Sequence, residues 1–167
     1  MADADRMMPS WSQDGKSLLV TSRNNGMLDL WRVPVDGGAG LRITHDRGVD
    51  AAEVPGRDLI IFTKQRQPRF WSVGTDGSGE RRIPELAGID ARRCWTVSHA
   101  GIYFNSGEKA PYRVLFFDFE GLQIREVGTL PGSVSLGAPN LDVSSDGRYL
   151  LYAQAGSTNA DLYTVDY

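Results

Sequence analysis

Two histidines and one cysteine bound the chemistry open to this 167-residue chain. A Ser-His-Asp hydrolase needs a nucleophile on a strained turn beside a base that takes its proton. Gly132-Ser133-Val134-Ser135-Leu136-Gly137 comes nearest to a Gly-x-Ser-x-Gly elbow, but its spacing is wrong by one residue and no strand-turn-helix pattern flanks it. It reads as a linker. His45 and His99 are far apart, and no His-x-x-x-His or Cys-x-x-Cys spacing marks a zinc site. Asp46, Asp50 and Glu53 cluster around a strand expected at 50–54, where Asp50 could face an oxygen-seeking cation such as calcium or magnesium. Their spacing matches no calcium-loop pattern, so a solvated loop is the reading adopted. Asp76-Gly77-Ser78-Gly79-Glu80 also lacks alternating ligands and reads as a hairpin turn. No catalytic, cofactor-binding or metal-binding residue is assigned.

The tryptophans offer a binding platform or a core. Trp31 and Trp71 occupy equivalent places in two similar segments, where packing is the expectation. Trp95 has no place imposed by any repeat, which makes it the candidate for an exposed anchor.

The elements that must position these residues are written as a repeat. Asp14-Gly15 recurs as Asp146-Gly147, Leu18-Leu19-Val20 as Leu150-Leu151-Tyr152, and Asp29-Leu30-Trp31 as Asp161-Leu162-Tyr163, each 132 residues on. That is three steps of 44, and a period of about 40–45 residues marks a β-propeller blade. Two intermediate copies fall between them. Turn glycines stand at Gly15, Gly56, Gly101 and Gly147, followed by SLLV, DLIIF, GIYF and YLLY. Aromatic runs follow as LWRV, FWSV, FFDF and LYTV, beginning at Leu30, Phe70, Phe116 and Leu162.

Acidic-Gly pairs then mark a second turn at Asp36-Gly37, Asp76-Gly77 and Glu120-Gly121, since glycine accepts positive φ. Short polar strands follow as LRIT, ERRI and IREV, and the fourth copy has none. The continuously apolar second strands suit sheets covered on both faces. A generic antiparallel sandwich would need no such period.

Composition fits one core and excludes two partner classes. The chain is 41% hydrophobic with a formal charge of −3, and its densest basic spots, Arg81-Arg82 and Arg92-Arg93, make no phosphate track. Nucleic-acid binding by this segment and membrane insertion are not expected, since no apolar run approaches a span. MADADRMM reads as an initiator end and not as a targeting segment. The lone Cys94 allows no internal disulfide.

Residues 9–44, PSWSQDGKSLLVTSRNNGMLDLWRVPVDGGAGLRIT, resemble the repeat of TolB-like bacterial β-propellers, which are related to WD repeats and to the propeller of dipeptidyl-peptidase IV. The resemblance implies a structural role for Trp11, in the Pro-x-Trp-Ser element of that repeat; Gln13 stands where the repeat usually has Pro, and residues 143–167 match almost as well, with Ser145 at that position. The resemblance implies a non-catalytic interaction or ligand-sensing module, and rings larger than four blades. It also implies an extracytoplasmic setting if the chain is part of a larger protein, against a cytoplasmic one if it is complete. The alternative is the accessory, substrate-gating propeller of a hydrolase, because the peptidase relatives carry their triad in a separate α/β domain.

The fold expected is therefore all-β: a propeller of about four blades of antiparallel four-stranded sheets, the last lacking its outer strand, forming a partial ring. The blades span approximately 9–45, 46–84, 85–131 and 132–167, after a tail at 1–8. No cofactor is expected. A protein partner is, along with self-association through apolar blade faces at the two ends.

Overall fold

The computed structural model describes residues 6–24, 26–90, 94–106, 111–130, 141–155 and 160–166. The chain forms two compact units, Met1–Ile89 and Asp90–Tyr167. Each contains two antiparallel meanders.

In the first unit, blade one is β1 (Arg6–Trp11), β2 (Ser17–Asn24), β3 (Met27–Pro34) and β4 (Leu41–Arg42). Blade two is β5 (Gly48–Glu53), β6 (Leu59–Lys64), β7 (Gln67–Gly74) and β8 (Arg81–Arg82), closed by a 3-10 turn at Pro84–Leu86. In the second unit, blade three is β9 (Trp95–Val97), β10 (Gly101–Ser106), β11 (Tyr112–Asp118) and β12 (Ile124–Leu130). Blade four is β13 (Leu141–Val143), β14 (Tyr149–Ala155) and β15 (Ala160–Asp166). Strands pair in chain order within every sheet, and the fourth sheet has three strands. The chain is all-β, with four propeller blades. β1 begins at Arg6, three residues before the expected first blade, and β5 begins at Gly48, two before the expected strand.

The first turns fix the register between copies. The amide of Ser12 donates to the Ser17 carbonyl, as Val54 does to Leu59, Ser98 to Gly101 and Ser144 to Tyr149. The equivalent positions are therefore Ser12, Val54, Ser98 and Ser144. In blades one and four the turn has the same bracing: Ser12 Oγ donates to Asp14 Oδ1 at 2.6 Å and Ser144 Oγ to Asp146 Oδ1 at 2.6 Å. The same carboxylate oxygens accept the amides of Lys16 at 3.0 Å and Arg148 at 3.1 Å. Gly15 and Gly147 follow at φ 67° and 72°.

Blade two reaches the same end differently. Pro55 and Gly56 (φ 71°) sit inside a turn closed by the Arg57 amide on the Val54 carbonyl, which is the Pro-Gly pattern of a type II turn. Its glycine stands one position early. Blade three has only His99 and Ala100 between Ser98 and Gly101, and Gly101 is a strand residue paired with Asp118. The sequence alignment on Gly101 and Phe116 is therefore shifted in blade three. There Val114-Leu115-Phe116-Phe117 aligns with Leu30-Trp31-Arg32-Val33, because Asp118 and Pro34 hold the same place in their hairpins.

Gly101 is required for space. A Cβ there would lie 2.0 Å from the Phe117 carbonyl oxygen and 2.7 Å from the Phe116 ring. Around Gly15 there is open space, and only its left-handed backbone resists a side chain. We expect Gly15→Ala to cost about 1 kcal/mol and Gly101→Ala to cost about 3 kcal/mol or more. Urea midpoints of the two variants measure the difference, and equal costs would contradict this account.

Candidate interaction surface

Alternation along the strands gives each blade two faces. In blade one, Leu19 and Leu30 point to blade two, where they join Ile43 and meet Ile60, Phe62 and Val73 in one buried cluster. In the second unit, Tyr103, Val114 and Phe116 of blade three meet Leu141, Leu150 and Tyr152 of blade four. The ring centroids of Tyr103 and Phe116 lie 4.6 Å apart, with the planes tilted by 44°. The inner strands are also tied across each junction, by Ser10 Oγ donating to the Ala51 carbonyl at 2.8 Å and by Thr96 Oγ1 donating to Asp142 Oδ1 at 3.2 Å.

Charged groups flank the apolar cluster of the first unit. Arg32 lies 2.8 Å from Glu53 Oε1 and donates to the Thr75 carbonyl at 3.3 Å. The Glu53 side chain is only 3% exposed. The Arg32 contact is an ion pair whose N–H is not aligned on Oε1, while the Gln13 amide gives Oε2 a hydrogen bond at 2.8 Å. Lys64, also buried, extends 3.9 Å above the Trp71 ring to reach Glu80 at 2.6 Å and Asp46 at 3.0 Å. Burial works against its charge, but the hydrogen bonds to Glu80 and Asp46 outweigh it and raise its pKa above the usual 10.5.

A third ionic centre closes blade one. Asp29, 1% exposed, accepts Arg42 at 2.6 Å, Thr44 Oγ1 at 3.3 Å and the Arg47 amide at 3.1 Å. Thr44 Oγ1 in turn accepts the Leu30 amide at 3.0 Å. Gly48 is glycine because a Cβ would come within 2.5 Å of that hydroxyl.

The residues weighed for metal chemistry are not brought together. Asp46 binds Lys64, Glu53 faces Arg32, and Asp50 stands at a bulge in β5 with φ 46°, where Thr63 Oγ1 lies 3.5 Å from its carboxylate. Asp76 accepts the Ser78 amide at 2.9 Å, as a turn residue does. His45 and His99 are exposed and lie in different units, and Cys94 is buried in the core of the second. The Ser133–Ser135 segment lies outside the described residues.

The tryptophans exchange roles relative to expectation. Trp95 lies on the inner strand of blade three and is 9% exposed, so it is a core residue. Trp11 is 63% exposed at the end of β1. Trp31 and Trp71 do take equivalent positions, opposite Val20 and Phe62. The short β9 and its two-residue turn disguised the place of Trp95; the matching Ser12 and Ser98 were the signal that could have found it.

No family model matches the chain. The solved TolB of Acinetobacter baumannii superposes on 95% of the chain at a TM-score of 0.73, with 23% identity. TolB of the Tol-Pal system from Anaeromyxobacter dehalogenans is 29% identical over 92 residues, 53% of the chain. The chain is a TolB-like β-propeller segment. It covers 40% of the Acinetobacter chain and 21% of the Anaeromyxobacter protein. Uncharacterized protein Atu1656 of Agrobacterium fabrum is 27% identical over 157 residues, and the TolB-like segment spans 53% of it. An oligogalacturonate lyase solved in complex with manganese shares the fold at a TM-score of 0.73 and 15% identity, over 99% of this chain and 52% of the lyase.

Two tests follow for this TolB-like segment. Arg32→Met leaves the Glu53 carboxylate buried without its cation, and we expect a loss of about 3 kcal/mol that Arg32→Met/Glu53→Leu largely restores. Chemical unfolding of the single and double variants reads this, and a double variant weaker than the single would refute it. The pH dependence has two signs. Asp14 and Asp146 are held below 3.8 by their serine hydroxyls and then by backbone amides. Their contribution is present above the unfolded pKa and lost as pH falls through the folded one. The raised Lys64 contributes fully below 10.5 and loses its effect as pH rises through its folded value. Stability should be level near neutrality and fall at both extremes, with Asp14→Ala flattening the acid limb and Lys64→Met the alkaline limb.

Proposed function

We propose that this propeller segment is a non-catalytic module that holds a protein partner on the rim formed by its hairpin turns. The observation that carries this reading is the use of its buried charges. Asp29, Glu53 and Lys64 are the buried charged side chains among the described residues, and each is engaged by another group of the scaffold. An active site would instead aim such groups, with perturbed pKa values, into a substrate cleft.

The rim has the chemistry of a protein-binding surface. In blade one the β1–β2 and β3–β4 turns emerge at one end of the sheet, because Ser17 pairs with Pro34. The matching turns of blade two do so where Leu59 pairs with Gly74. They expose Gln13, Lys16, Asp36, Arg57 and Asp58 on short, hydrogen-bonded loops. Polar side chains on braced turns favour recognition of another protein over enclosure of an apolar small molecule. The names of two fold relatives, a Tol-Pal system protein and a Nidogen/Laminin complex, agree with a binding role.

The manganese-bound lyase supplies the competing reading, a metal-dependent propeller enzyme. Among the described residues no group of three or more His, Cys, Asp or Glu side chains is arranged to hold a metal. One experiment separates the two. A photo-crosslinking residue replacing Lys16 or Arg57 should give a discrete protein adduct in source cells that unlabelled chain competes away. The same residue at Arg125, on the outer strand of blade three, should not. Stoichiometric manganese on the purified chain, with turnover of oligogalacturonate, would overturn the proposal.

A further inference from the structure

Asp-Gly is written four times in the chain, at Asp14-Gly15, Asp36-Gly37, Asp76-Gly77 and Asp146-Gly147. Such a pair carries chemistry of its own, because glycine has no side chain to keep its amide nitrogen from the preceding carboxyl group. The nitrogen attacks Cγ of the aspartic acid, the side-chain hydroxyl leaves as water, and a succinimide ring forms. Water then reopens the ring at either carbonyl. Opening at the former side-chain carbonyl restores aspartate. Opening at the main-chain carbonyl leaves isoaspartate, whose backbone runs through Cγ and is one carbon longer. The water lost is regained, so the mass is unchanged.

Three of the four carboxyl groups are tied down. Asp14 Oδ1 accepts the Ser12 hydroxyl at 2.6 Å and the Lys16 amide at 3.0 Å. Asp146 Oδ1 accepts the Ser144 hydroxyl at 2.6 Å and the Arg148 amide at 3.1 Å. Asp76 Oδ1 accepts the Ser78 amide at 2.9 Å. Attack on Cγ requires the carboxyl group to leave these donors and turn to the glycine nitrogen. The hydroxyls of Ser12, Ser78 and Ser144, and then the amides, also hold the three groups below 3.8, which thins the protonated form whose hydroxyl can leave. Asp36 makes no hydrogen bond or ion pair with any described residue, and positions 35–39 are all exposed. The glycine amides rank in the same way. Each donates to the carbonyl three residues back, at 3.0 Å from Gly15, 2.9 Å from Gly77 and 2.8 Å from Gly147, but at 3.3 Å from Gly37. A Cβ on Gly77 would lie 3.3 Å from the Ile43 carbonyl oxygen, whereas one on Gly37 or Gly38 would meet nothing within 4 Å.

We propose that Asp36-Gly37 is a site of covalent self-modification, where the main chain rearranges to isoaspartate while the braced turns at Asp14, Asp76 and Asp146 stay intact. The product adds one backbone carbon to the turn between β3 and β4 and moves a carboxylate on the rim. β4 consists of Leu41 and Arg42 alone, and Arg42 holds the buried Asp29 at 2.6 Å. The rearrangement therefore reaches from an exposed turn to the ionic centre that closes blade one. The contrast among the four sites lies in hydrogen bonds within single hairpins, and it is independent of the rim as a partner site.

Warm incubation of the 167-residue chain followed by tryptic mapping tests this. Cleavage after Lys and Arg puts the four pairs in separate peptides, 7–16, 33–42, 70–81 and 126–148. Asn25-Gly26 falls in a fifth, 24–32, where the same ring chemistry expels ammonia and changes the mass, so the two reactions are not confused. Isoaspartate is read by electron-transfer fragmentation and by labelling with an isoaspartyl methyltransferase and S-adenosylmethionine. It should accumulate in 33–42 about tenfold faster than in the other three, the cost of breaking one hydrogen bond to a charged group. In urea the four rates should converge, because the braces are gone. Ser12→Ala should raise the rate at Asp14 toward that at Asp36, and Ser144→Ala should do the same at Asp146, with far-UV circular dichroism confirming that each variant folds. A native rate at Asp36 no higher than at the braced sites would overturn the proposal. So would an equal lead in the unfolded chain, or unchanged rates at Asp14 and Asp146 in the folded serine variants.

Discussion

Burial of one blade's face by the next is the constraint from which the rest of the structure follows. A twisted four-stranded meander cannot bury both faces by itself, and in repeat folds stability lies largely in nearest-neighbour interfaces. Here the junction of blades one and two removes Leu19, Leu30, Ile43, Ile60 and Phe62 from water almost completely. Each such side chain contributes about 2 kcal/mol through burial. The junction of blades three and four does the same with aromatic residues, Tyr103 and Phe116 against Tyr152. Register is fixed by this requirement: a slip of one residue would turn Leu19 outward and Leu18 inward.

The charged groups are explained by the same constraint. An ionic side chain at the border of an apolar junction must be paired, because leaving a buried carboxylate alone costs several kcal/mol. Arg32 reaches across to Glu53 and to the Thr75 carbonyl, so its geometry depends on where blade two sits. Lys64 covers the Trp71 ring with its stem and ends between two carboxylates. These pairs add direction to an interface whose apolar centre has none.

The architecture was legible because the hairpin is encoded locally. Asp14-Gly15 and Asp146-Gly147 specify the same braced turn, and the apolar runs after them specify the second strands, β2 and β14. Blade three was misaligned because a turn two residues shorter needs no left-handed glycine, and Gly101 serves instead to make room for Phe116 and Phe117. Trp95 looked unattached for the same reason. The ionic pairs were hidden more deeply. Glu53 and Asp46 looked like members of a carboxylate cluster, whereas their cations come from Arg32 on β3 and Lys64 on β6. Those pairings depend on strand register and inter-blade packing, and spacing along the chain carries neither.

Trp11 shows how far the repeat logic reaches. In the sequence it belongs to a structural Pro-x-Trp-Ser element, and in the fold it is the most exposed of the large apolar side chains described. Both are consistent, because its position is structural only when a preceding blade is present. Glu53 and Val143 occupy the same position with such a blade in place, and they are covered to different degrees by it. The exposure of Trp11 therefore belongs to its place in the array and not to a binding platform built from aromatic residues.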